Sequence, residues 1–557
     1  MDRNTLLAFF LISLVLIFTP KYIELVSPPA DTPSPADTLS QTDTLSPHQM
    51  KSEGFVKNNT PPQTPLKNLT TAQKPNLSFV PEKLINISTN LYTATISSVA
   101  GGTIQSFNLN NYFTADSQLV DMISQSSKSF EITGKDLDGN PLVLDMPWEL
   151  HSNKTNPKQK NQEIVYRHEL FPNKYIYKTL FFWSENYFID VVVDLTEVSN
   201  TIFRDISFGW SGGLPSTESN LTDDLSYFNS YVSQGGELEN LKVGPGETEQ
   251  KKLNGETSWA ALRTKYFTTA IIPESPKDVR SATLTGIGDS LEVYGLSFVF
   301  DPIKKQTFKA YVGPLEYDRI KTLNVQLESI MDFGWAFIRP ISKGVLFALK
   351  KMHETIPNYG FVLIVFAFLV KALVYPLTKK SYQSTSAMQA IQPEVNALKE
   401  KHKSNPQKLN QATMELYKTK GVNPLGGCLP MLLQMPLLFA LFVVFRTTIE
   451  LRSEPFVWWI KDLSAPDAIF TLPFNIPIYG SHVAVLPILM VISMFIQQKM
   501  MTGPSQQPQQ KTMQYFMTAF FFLMFNGFPS GLNLYYTLFN VLTIAQQKLI
   551  PTNKQTL

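Results

Sequence analysis

The chain has 557 residues, 43% of them hydrophobic, and a formal charge of +2, which is too long for one ordinary domain and too neutral for a nucleic-acid binder, since phosphate binding needs a concentrated basic face. A single cysteine, Cys428, excludes an intramolecular disulfide, and six scattered histidines give no support to a Cys/His metal cluster. Neither a metal nor a cofactor is expected.

The N-terminus, MDRNTLLAFFLISLVLIFTPKYIELV, has an apolar core from Leu6 to Phe18. It is short for a span but lacks a clear small-x-small cleavage site, so residues 1–26 read as an uncleaved signal anchor. Residues 27–76, with PADT and DTLS each repeated, are rich in Pro, Ser, Thr and Asp and poor in aromatics. Such a segment cannot bury enough surface to fold and reads as a disordered tether.

Over 77–325 the texture changes to short alternating runs between Gly, Asn, Asp and Pro turns, as in YIYKTLFFWSENYFIDVVVDLTEVS and LEVYGLSFVFDP. Alternation with β-branched and aromatic enrichment predicts antiparallel sheets, here one large sandwich delivered across the membrane by the preceding anchor. From about 326 the pattern turns helical. LESIMDFGWAFIRP predicts a short interfacial helix over about 327–339, ending before Pro340. Hydrophobic segments at about 357–377, 425–445, 483–500, 513–526 and 531–550 bring the expected spans to six, with both termini on one side. Residues 378–424 carry eight lysines against three glutamates, whereas 446–482 carry three Lys/Arg against four Asp/Glu. The positive-inside rule makes the first loop, and so both termini, cytoplasmic.

That loop predicts a helical hairpin over about 380–420. Ile391, Val395 and Leu398 recur on one helical face, and Leu409, Ala412 and Leu416 on another, either side of an SNP break. Each helix has a thin apolar stripe, suited to a mobile element that reaches a membrane surface or a partner.

Lys371 stands inside FAFLVKALVYPLTKK, six residues from Leu377. A charge at bilayer depth costs about 2.5–3.5 kcal/mol on insertion scales unless it finds water or a partner. Snorkelling to the headgroups is one reading. The other is a polar groove, because Gln434 in the third span and Asn533, Tyr535, Tyr536 and Asn540 in the sixth supply polar groups, and the second, third, fourth and sixth spans hold no acidic residue.

YPLT at 375–378, NPLGGCLPMLLQMPLLFALF at 423–442, LRSEPFVWWIKDLSAPD at 451–467 and FPSGLNLYYTLFNVLTIAQQ at 528–547 resemble the YidC/Oxa/Alb family of membrane protein insertases, of Gram-negative type. The resemblance implies a polytopic α-helical membrane protein of six spans, five forming the insertase core, with a large periplasmic β-supersandwich domain of galactose-mutarotase type, in the bacterial inner membrane. It implies a groove open to cytoplasm and lipid, with the family's usual arginine replaced by Lys371, polar groove positions at Gln434 and Tyr536, and substrate reception by the hairpin. The partners it implies are nascent membrane proteins, the Sec translocon with its accessory subunits, and the ribosome or signal recognition particle pathway. The sequence stops at QQKLIPTNKQTL, without the long basic tail some relatives use, which leaves ribosome docking open. Ammonium and guanidinium differ in geometry and in ease of deprotonation, so the Lys371 replacement is not conservative.

Two alternatives compete. A transporter or channel would use Lys371 as an intramembrane anion site and would show saturable solute flux. A sugar-modifying enzyme in the β domain would need paired histidines and a carboxylate; the domain has only His151 and His168, in stretches that read as surface loops.

Overall fold

The computed structural model describes residues 80–289, 291–403, 405–422, 429–476, 479–501 and 508–549. The expected anchor (1–26), the tether (27–76) and Cys428 lie outside the described residues. From Leu84 to Pro314 the regular secondary structure is almost all strand. A nine-stranded antiparallel sheet runs from Glu237–Leu241 at one edge to Glu149–Asn156 at the other, with Thr257–Arg263, Phe267–Pro273 and Gln306–Pro314 inside. A five-stranded sheet (Lys128–Thr133 to Thr248–Asn254 at its edges) packs on it, and a four-stranded sheet is built from Leu84–Ser88 through Leu119–Asp121. Alternation sets which side chains face inward: in Lys174–Trp183, Ile176, Lys178, Leu180 and Phe182 are buried. Phe208 of the smaller sheet stacks on Phe308 of the larger at 4.3 Å, and Phe267–Pro273 is buried throughout, so it is covered on both faces. His151 and His168 sit on paired strands, not loops, and His168 stacks on Trp148.

Lys178 is the one charged residue in that inward row. Its ammonium donates to the carbonyls of Phe130 (2.6 Å) and Ala100 (3.0 Å), two residues with positive φ of 58° and 52°. The amine therefore pins two left-handed backbone positions, one at the Ala100 turn and one inside the strand Lys128–Thr133.

Two short helices, α1 (Leu221–Leu225) and α2 (Tyr317–Lys321), lead from the β domain toward the helical core. The interfacial helix expected over 327–339 is displaced: Leu327–Ile330 is a single 3-10 turn, Met331 and Phe333 are buried, and the amphipathic helix α3 is Arg339–His353. Pro340 explains the shift. At the second helical position its missing N–H is not needed, so it starts the helix that the sequence reading had it terminate.

The core then comprises α4 (Tyr359–Ala390), α5 (Gln392–Lys401), α6 (Pro406–Thr419), α7 (Leu429–Thr447), α8 (Val485–Met501), α9 (Pro508–Phe525) and α10 (Ser530–Leu549). Among the described residues one helix, α4, is long and apolar enough to cross a membrane; shorter apolar stretches are Gln434–Thr447, Val485–Met500 and Tyr515–Phe525. α4 runs through Pro376 and past Leu377, its 32 residues spanning about 48 Å at 1.5 Å per residue. Asn358 caps its start, accepting from the Gly360 N–H at 2.9 Å. α5 and α6 form the expected hairpin, with Ile391 and Val395 buried and Lys420 paired to Glu394 at 2.8 Å.

The β domain and the core are fastened by ion pairs, those of Asp223 and Glu218 partly buried. Asp223 of α1 takes Lys265 at 2.8 Å and Arg446, from the last turn of α7, at 3.2 Å; Glu218 takes Arg452 at 2.7 Å. Lys350 of α3 bridges Asp318 (2.6 Å) and Glu450 (3.2 Å). Burial alone would raise the Asp223 carboxyl, but the Lys265 ammonium and the Arg446 guanidinium hold it below the usual carboxylate range.

On the same side, a two-stranded antiparallel ribbon (Ala468–Ile476 and Gly480–Ala484) joins the loop after α7 to α8. Its second strand is tied to the α9–α10 turn by Asn526, whose amide donates to the carbonyls of Tyr479 (2.8 Å) and His482 (2.7 Å) and accepts from the Ala484 N–H (3.1 Å).

Candidate functional site

The site is the contact between α4 and α10. On α4, Lys371 and Thr378 are seven residues apart and so share a face; on α10, Phe539, Thr543 and Gln546 follow the i, i+4, i+7 spacing of one stripe. The two stripes meet. The Lys371 ammonium donates to Thr543 Oγ1 at 2.6 Å and lies 4.2 Å from the centre of the Phe539 ring. The Thr543 hydroxyl donates in turn to the Phe539 carbonyl at 2.6 Å, which turns its lone pairs toward the lysine. One helical turn away the Gln546 amide donates to Thr378 Oγ1 at 3.0 Å.

Lys371 is 8% exposed, and no carboxylate pairs with it among the described residues. A desolvated cation is thus held by one hydroxyl and one aromatic face, both weaker acceptors than a carboxylate. The ammonium is covered by α10 and does not stand in open water.

The other expected groove residues divide. Tyr536 is buried beside Tyr535 on α10, their rings 5.3 Å apart, and both hydroxyls lack a hydrogen-bond partner among the described residues. Buried orphan hydroxyls of this kind are where a polar guest gains most. Asn540 turns toward α8, donating to Ser493 Oγ at 3.3 Å. Asn533 lies ten residues before Thr543, and its amide clasps the carbonyls of Phe525 (3.1 Å) and Phe528 (3.3 Å); it closes the α9–α10 turn. Gln434 is half-buried in the first half of α7, and no hydrogen bond among the described residues joins it to Lys371. Of the hairpin residues, Ile391 and Val395 are buried and Leu398, Leu409 and Leu416 half-buried.

Thr543, Phe539, Thr378 and Gln546 escape a reading by residue type, since a threonine or glutamine near a helix end attracts no notice. The signal that finds them is the i, i+7 partner of Lys371 on its own helix, followed by a matching polar stripe in LFNVLTIAQQ.

A helical core whose α4 is long and apolar enough to cross a membrane, joined to a large β domain, fits an integral membrane protein with an extramembrane sandwich. Sequence profiles agree: the 60Kd inner membrane protein family matches residues 351–556 and the YidC periplasmic domain family residues 84–344. The chain belongs to the YidC family of inner-membrane proteins, and the β domain is its periplasmic domain. A membrane protein insertase YidC of Chlorobium limicola is 35% identical, with all of this chain and 96% of the relative covered. That of Chlorobium luteolum is 37% identical over 84% of this chain and 82% of the relative. A crystal structure of an active YidC insertase with its first transmembrane domain resolved is 17% identical, covers 84% of this chain and 94% of that one, and gives a TM-score of 0.35. A galactose mutarotase related enzyme from Lactobacillus acidophilus is 11% identical over 41% of this chain and 97% of its own, with a TM-score of 0.28.

Proposed function

We propose that this chain inserts and folds integral membrane proteins, alone or beside the Sec translocon, by offering the polar segments of a nascent chain a positively charged site at Lys371. The family is one of non-enzymatic insertases. The observation that carries the site is the Lys371 ammonium, buried in an apolar helix with a threonine hydroxyl as its hydrogen-bond acceptor. An incoming carboxylate or peptide carbonyl can replace Thr543 as that acceptor, so a polar segment enters the bilayer already partnered and its crossing barrier falls. Tyr536, with its orphan hydroxyl, supplies a second contact once α4 and α10 separate; Gln434 is assigned to the opposite wall. In this reading six spans hold both termini in the cytoplasm, five of them form the core, and the α5–α6 hairpin receives the substrate.

The test is insertion of a short-loop membrane protein, scored by protease protection, in cells depleted of the native insertase. Lys371→Ala is expected to lower insertion several-fold at unchanged protein level, and Lys371→Arg to restore it. Wild-type insertion by Lys371→Ala overturns the charged-site assignment.

A further inference from the structure

The two-stranded ribbon after α7 has no role in the contact just described, and its construction is one-sided. One strand is built in: Asn526 is fully buried and holds Tyr479, His482 and Ala484 on the second strand and its turn, and Asp467 accepts from the Val485 and Leu486 N–H groups (3.0 and 2.8 Å) and from the Trp459 indole (3.0 Å). The first strand is bare. Ile469, Phe470 and Phe474 are 58%, 58% and 60% exposed, and residues 468–484 contain no charged side chain. In water a short, uncharged ribbon with exposed phenylalanines is barely stable and invites edge-to-edge association.

The ribbon runs straight into α8, whose bare face carries Ile488, Leu489, Ile492 and Ile496. The apolar surface is therefore continuous from helix to ribbon. Trp458, 87% exposed and stacked on Trp459, stands at the same end, where interfacial aromatics gather. Depth is limited by the backbone. Among the described residues no hydrogen bond from outside the ribbon engages the backbone of Ala468–Ile476, and unpaired N–H and C=O groups on that outer edge are not tolerated in the hydrocarbon region but are in the headgroup zone.

We propose that the ribbon lies in the periplasmic leaflet, its backbone among the lipid headgroups and Phe470 and Phe474 dipped into the acyl boundary, as a non-helical anchor beside the first turn of α8. This rests on the membrane placement of α8 given above. The partner is a lipid surface, recognised by apolar side chains without charge.

The test uses the full-length chain with Cys428→Ser, reconstituted in vesicles of phosphatidylethanolamine and phosphatidylglycerol. Spin labels are placed singly through Phe470→Cys, Phe474→Cys, Leu489→Cys on α8 and Leu238→Cys on the β domain. Collision with oxygen relative to a water-soluble nickel chelate reports depth. Labels at 470 and 474 are expected to favour oxygen several-fold over the label at 238 and to read shallower than 489. Labels at 470 and 474 that match 238 while 489 reads lipid overturn the proposal. So do labels shielded from both collision partners, which mark a protein occupant. A label at 489 that reads water instead removes the span on which the proposal rests.

Discussion

Lys371 and Lys178 are two buried amines without an ion pair among the described residues, and they are held in different ways. Lys178 is satisfied by two backbone carbonyls of the β domain; Lys371 is held by one side-chain hydroxyl from another helix. Burial pushes Lys178 down to about 7, with Glu131 pulling weakly the other way, whereas an unfolded lysine titrates near 10.4. Between those values the folded chain binds fewer protons than the unfolded one, so stability rises with pH across that window and is lowest below it. Melting of the detergent-solubilised chain, followed by tryptophan fluorescence, should show the β-domain transition moving upward from pH 7 to pH 9, and Lys178→Met should abolish the movement. A transition in the wild type that is flat with pH would refute this. Lys371 is legible in the sequence because a charge interrupts an apolar run, but its partners are not, since they depend on how α4 crosses α10. Asn533 and Asn540 show the converse. Their polarity is plain, yet one closes a turn and the other faces α8.

At the level of elements, α4 is longer than the hydrophobic run that identifies it. A bilayer core of about 30 Å takes about 20 residues, so the part of α4 beyond Leu377 continues as a polar stalk that carries the α5–α6 hairpin. Thin apolar stripes made this hairpin readable, and the SNP break fixed its turn. Its cohesion rests on little: Val395 is the buried residue of α5, 4% exposed. Val395→Asp should cost about 3 kcal/mol by burying a charge without a partner and should speed amide exchange across 392–419 while leaving the β strands protected. Unchanged exchange would show that the helices stand without this contact. The ribbon before α8 was not legible, because Pro473 and Pro477 punctuate a stretch that otherwise reads as loop. Its second strand is held by Asn526, a residue more than forty positions away.

Across the whole molecule, the sandwich and the helical core were readable as separate textures, but not the bolts between them. Asp223, Glu218 and Asp318 are ordinary acidic residues in sequence, and only the fold brings them to Arg446, Arg452 and Lys350. The Asp223 pairs are partly buried, and removing one partner of a buried pair costs at most about 3–5 kcal/mol. Asp223→Asn should therefore loosen the joint, with faster amide exchange at 217–226 and 446–452 but not in the nine-stranded sheet. Acidification should act the same way: a carboxyl held below its ordinary value stabilises above the unfolded range and stops doing so as pH falls through the folded value. Exchange at the joint that ignores both changes would mean that apolar packing alone holds it. The grip has a mechanical consequence. Arg446 lies in the last turn of the same helix that bears Gln434, so the sandwich grips that helix as a handle grips a shaft, and the two are keyed together by charge rather than left to turn independently.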